Sequence, residues 1–132
     1  MNNQVPFDMQ KAFAAAQEIL DAYPTLCLHG FGLHNQDSKP MTLQVAELAN
    51  QRTRLVGHDS LRTIHVIIEW INANLRPADE DAHSSYWLKG RAEARIGYIT
   101  NGQLILAAAQ LGYEFVIDGY DAIICCIVQP EN

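Results

Sequence analysis

A chain of 132 residues, 48% hydrophobic and 18% charged, suits one domain with its own core, here taken as 1–132. Nine Lys and Arg against fifteen Asp and Glu give a net charge of −6, which repels a phosphate backbone unless basic groups gather on one face. Three cysteines, two of them adjacent, do not make a disulfide framework and read as buried thiols. Residues 1–6 lack the basic and then apolar layout of a secretory signal. No run approaches the roughly 18 apolar residues of a membrane span. A cytoplasmic protein is expected.

In chain order, Asp8 caps a predicted helix running to about Tyr23, with Met9, Phe13, Ala16, Leu20 and Tyr23 at steps of three and four before Pro24 stops it. TLCLHGFGL, residues 25–33, is short and broken by glycine, a third short strand or an extended loop. Met41 to Leu55 reads as a second helix. Leu61, Ile64, Ile68, Ile71 and Leu75 define a third behind the cap candidates Asp59 and Ser60, ending at Pro77.

PADEDAH, residues 77–83, reads as an acidic loop between helices. Ser84 or Ser85 then caps a helix with Leu88, Ala92 and Ile96 on one side, and Gly97 terminates it. Thr100 and Gln103 have capping-box spacing and open a fifth helix over 101–111. YEFVI, the turn DGYD and AIICCIVQ form a C-terminal β-hairpin. The expected fold is therefore α+β, about five helices with a C-terminal hairpin.

The order of the last elements resembles a winged helix, which would make the chain a transcriptional regulator, dimerising through its N-terminal helices. A reading helix, however, presents polar and basic side chains to base edges, whereas NGQLILAAAQL is apolar nearly all round and reads as buried. No Lys or Arg follows Arg95, while Glu114, Asp118, Asp121 and Glu131 do. Direct nucleic-acid binding is disfavoured.

Ser85, Leu88, Lys89, Glu93, Gly97, Tyr98, Thr100, Asn101, Gly102 and Ala107 to Ala109 carry a second resemblance. Over 84–115 the chain is similar to small uncharacterised proteins of phages, prophages and plasmids. The likeness implies no activity for any residue. By analogy it implies a protein that binds and blocks host machinery, including anti-CRISPR-like inhibition of a defence effector.

Few constellations carry chemistry. Cys27, His29, His34, Cys125 and Cys126 do not have zinc-site spacing, and adjacent strand cysteines point to opposite faces. Cys27 with His29 or His65 as nucleophile and base lacks an orienting group, and a histidine satisfied by nearby backbone is the simpler reading. Free amides at Asn101 and Gly102 suit an anion, although helix capping accounts for them. Neither a dinucleotide fingerprint nor a P-loop is present, so no catalytic residue, metal or cofactor is expected.

The densest charge feature is Asp79, Glu80 and Asp81, just before Tyr86 and Trp87. With Arg91 and Arg95 these are the candidate partner-binding residues, acidic mimicry beside an aromatic anchor, against the plainer reading of a solvated loop. The expected function is non-enzymatic interaction with a host protein or protein–nucleic acid complex, and a homodimer is a further option. A regulator, or an enzyme or ligand binder with dispersed residues, stands as the alternative.

Overall fold

The helix poorest in charge lies at the centre. In a computed structural model, which describes residues 6–34 and 36–129, α5 (Asn101–Gln110) is buried from Asn101 through Ala108. Five of these eight residues, Leu104 to Ala108, offer only apolar side chains, so water has little to solvate and burial is favoured on every side. Thr100 and Gln103 form the expected capping box: Gln103 N donates to Thr100 Oγ1 at 3.1 Å and Thr100 N to Gln103 Oε1 at 2.9 Å. Gln103 Nε2 also reaches Ser60 Oγ at 3.0 Å, so the buried amide has partners for both its oxygen and its nitrogen.

Around α5 pack α1 (Met9–Ala22), α3 (His58–Asn74) and α4 (Ser85–Ile96). Asp8 caps α1 as expected, accepting from Lys11 N. α3 inserts Leu61, Ile64, Ile67 and Ile71 into the core. Its cap is Gly57 rather than Asp59 or Ser60, which lie inside the first turn, where Ser60 is needed as Gln103's partner. α2 (Met41–Leu55) has the expected bounds but buries only Leu55. Arg52 anchors it. Its guanidinium donates to the carbonyls of Leu20, Tyr23 and Leu26 at 2.8–2.9 Å, supplying donors that the C-terminal end of α1 lacks.

Residues 25–33, expected as a short strand or an extended loop, form a miniature hairpin of their own, β1 (Leu26–Cys27) with β2 (Gly30–Phe31), in a sheet separate from the main one. One sequence expectation needs correction: the acidic segment is not simply an interhelical loop. It belongs to β3 (Leu75–Ser84), which pairs antiparallel with β5 (Asp121–Val128), and the register breaks between Pro77 and Ala82 so that 78–81 bulge from the strand. Pro77 is tolerated because β3 is an edge strand. Long-range pairing with β5 decides this, and no local pattern reports it.

β4 (Phe115–Asp118) and β5 make the expected hairpin, with Gly119 at φ 62° in the two-residue turn. β5 is the middle strand, in the order β3-β5-β4. Alternation buries Ala122, Ile124 and Cys126 and turns Cys125 to the other face. Ser84 caps α4, whereas Ser85, fully buried, accepts from Ala122 N at 3.0 Å and so prolongs the sheet edge. Among the described residues no helix is long and apolar enough to cross a membrane.

Candidate functional site

α3, β3, α4, α5, β4 and β5 follow one another with strand order β3-β5-β4, so the helix pair and the hairpin come in the order that the winged-helix resemblance expects. The β1–β2 hairpin is bonded both to the start of α5 and to the β4–β5 turn. Gly102 N donates to Leu28 O at 3.1 Å, and Phe31 N donates to Tyr120 O at 2.9 Å. A β-carbon on Gly102 would overlap the Cys27 carbonyl oxygen, and one on Gly30 would overlap that of Tyr120. Of the two amides considered for an anion, Asn101 and Gly102, that of Gly102 is thus occupied by Leu28.

Beside this seal opens a cleft of about 790 Å³ lined from six segments. His29 and His34 come from the β1–β2 hairpin and the loop after it, Glu47 and Gln51 from α2, Tyr86 and Lys89 from α4. Tyr98 comes from the turn before α5, Asn101 from the first turn of α5, Tyr120 from the β4–β5 turn and Asp121 from the start of β5. Tyr86 and Tyr98 are 66% and 75% exposed, an unusual cost in apolar surface for two large rings. Tyr120 stacks on His34 at 3.7 Å between ring centroids.

Lys89 is fixed rather than free. Its Nζ bonds Glu93 Oε1 at 2.9 Å and lies 5.5 and 5.7 Å from the Tyr86 and Tyr98 ring centroids. Glu93 also accepts from Ile99 N at 3.3 Å, and the Lys89 hydrogen bond chiefly holds its pKa below the usual carboxylate value. His29 is shifted down from 6.5, mainly because its charged form loses solvation in the cleft and then because Arg54, His34 and Lys89 repel it. Its neutral form is favoured. Asn101, only 6% exposed, donates from Nδ2 to Asp121 Oδ1 at 2.8 Å and Tyr120 O at 3.3 Å. Its own Oδ1 is buried without a donor among the described residues.

The structure divides the candidate residues of the sequence. Tyr86 faces the cleft with Lys89. Trp87, the next residue, is not among the cleft residues; it stacks on His83 at 4.7 Å between ring centroids and has the Arg91 guanidinium 5.0 Å from its ring. Consecutive helical residues diverge by about 100°, so the pair cannot share one site. Asp79, Glu80 and Asp81 sit in the β3 bulge, with Asp79 beside Glu114 and Cys125, and Arg95 lies in the last turn of α4. Cys27 donates to Gly32 O at 3.4 Å inside the core, and burial raises its pKa.

Tyr98, Tyr120 and Asp121 are not candidates on sequence, and Asn101 is one only through its backbone amide. One signal was present: Tyr98 and Tyr120 each follow a glycine in a turn, where an aromatic ring has little of its own chain to pack on. Comparison with family models, with curated proteins and with solved structures finds no match to this chain.

Proposed function

We propose that the chain is a non-enzymatic interaction module that grips a partner protein through the cleft ringed by Tyr86, Tyr98 and Tyr120. The observation that carries this reading is the β1–β2 hairpin, bonded at once to Gly102 and to the Tyr120 carbonyl. It ties the start of α5 and the β4–β5 turn, the parts a winged helix would turn to DNA, into one wall with the hairpin and leaves tyrosines, residues enriched at protein interfaces, around an open cleft. A net charge of −6 supports the same choice. The likeness of 84–115 to proteins of mobile elements supplies the context, with a host defence complex such as a CRISPR effector, sterically blocked, as the partner class.

The connectivity alone favours a second reading, a DNA-binding regulator. One experiment separates the two: affinity capture with the tagged full chain from a bacterial lysate, beside fluorescence anisotropy with duplex DNA over a salt series. A stoichiometric protein complex and no DNA binding is the expected result. Repeated recovery of the chain alone, with DNA affinity falling steeply as salt rises, overturns the proposal and leaves the regulator.

A further inference from the structure

We propose that the cleft is a receptor for a guanidinium, the side chain of an arginine carried on the partner protein, an inference that rests on the interaction reading above. Charge is the first argument. Besides the histidines His29 and His34, the wall has three acidic or basic residues, and two have ion partners within the chain: Lys89 with Glu93 at 2.9 Å and Glu47 with Lys39 at 3.1 Å. Asp121 has only the neutral amide of Asn101 among the described residues. His29, disfavoured in its charged form, adds no balancing cation. Arg54, His34 and Lys89 act as cations at the His29 end of the wall, so the negative charge without an ion partner is local to Asp121, and it is there that a cation is drawn in.

Hydrogen bonding gives the second. Asn101 spends its amide nitrogen on Asp121 and Tyr120, which leaves Oδ1 as a buried acceptor without a donor. That oxygen has almost no accessible surface, so the acceptor a ligand in the cleft meets is the half-buried Asp121 carboxylate beside it, which calls for an N–H or O–H donor. The third is the rim of tyrosines, whose rings have negative faces that favour a flat cation: Tyr120 gives one face to His34 and Tyr86 and Tyr98 lie near the Lys89 ammonium, so the faces turned away from these groups are the ones offered. A guanidinium is planar, forks onto a carboxylate and stacks on aromatic rings, whereas an ammonium is a compact point charge. A cleft of about 790 Å³ is larger than one side chain, leaving room for the residues flanking an arginine in a polypeptide.

The test is an NMR titration of the full chain with N-acetyl-arginine amide, beside the lysine, glutamate and neutral citrulline analogues. Saturable shifts at Tyr98, Asn101, Tyr120 and Asp121 are expected with arginine, with citrulline weaker by about ten-fold or more. Asp121→Asn should weaken the arginine probe by a similar factor. Tyr98→Ala, on an exposed turn where folding is not at risk, should weaken it several-fold. Glutamate or lysine binding as well as arginine, or no shift with any probe, overturns the proposal. A captured complex insensitive to Asp121→Asn also overturns it, yet leaves the interaction module standing. A successful titration with no captured partner supports the guanidinium site and counts against the module.

Discussion

Gly102 gives its amide hydrogen to the Leu28 carbonyl at 3.1 Å, and a β-carbon on Gly102 would lie 2.6 Å from that same oxygen. The first turn of α5 and the β1–β2 hairpin are thus in backbone contact, an approach that any side chain at 102 prevents. This contact buries the polar start of α5, Asn101 to Gln103, together with its apolar middle.

Gly102→Ala should therefore destabilise the fold by about 2–4 kcal/mol, because the obstacle is backbone and cannot rotate away. Gly90, on the exposed side of α4 with nothing near its missing β-carbon, is the control. Gly90→Ala should stabilise by about 0.5–1 kcal/mol through helix propensity. Urea denaturation of both variants checks the contrast, and similar midpoints would contradict the packing described.

Arg52→Ala removes three charge-assisted hydrogen bonds and leaves the carbonyls of Leu20, Tyr23 and Leu26 short of a donor. A loss of about 2–4 kcal/mol is expected. Arg52→Lys should recover less than half, since an ammonium does not present the same fork. Thermal unfolding measures both, and full rescue by lysine would show that charge alone matters.

Thiol reactivity should separate the three cysteines. Cys126 is buried, and its pKa is raised to about 11 by desolvation, with Cys125 and Asp81 adding to the shift. Burial likewise raises Cys27. At pH 8 a thiol-reactive disulfide reagent should label Cys125, which is partly exposed, well before the other two. Labelling of all three at one rate in the native protein would mean that the core opens as a unit under those conditions.

Stability should fall on acidification in two ranges. The folded pKa of His29 lies below its unfolded value of 6.5, so its contribution is complete above 6.5 and is lost as pH falls through the folded value. Glu93 is also lowered, from 4.5, and its contribution is complete above 4.5 and lost below that. His29→Gln should flatten the upper range and leave the lower, where Glu93→Gln acts. Denaturation midpoints followed from pH 8 to pH 3 check the sign, and a rise in stability between pH 7 and pH 5 that His29→Gln abolishes would reverse the assignment.

Much of the fold was legible because it is encoded locally. Asp8, Thr100, Gln103 and Gly119 work within a turn of chain, and the apolar residues of α3 repeat at helical spacing, so each element announces itself. The strand character of 75–84 was hidden, since Pro77 and the acidic tract argue against a strand and only pairing with β5, some fifty residues on, overrides them. The cleft was less legible still. Its residues run from His29 to Asp121, and no spacing rule links them.

Composition and periodicity by themselves determined that this is an α+β domain whose most apolar helix lies inside, because burial of a helix apolar all round needs no knowledge of its neighbours. Only the tertiary structure decided that the β1–β2 hairpin covers the start of that helix, that Tyr86 parts from Trp87, and that Asp121 is the charge in the cleft without an ionic partner among the described residues. Those facts depend on groups far apart in sequence meeting at a few ångströms, a distance that packing sets and local propensity does not.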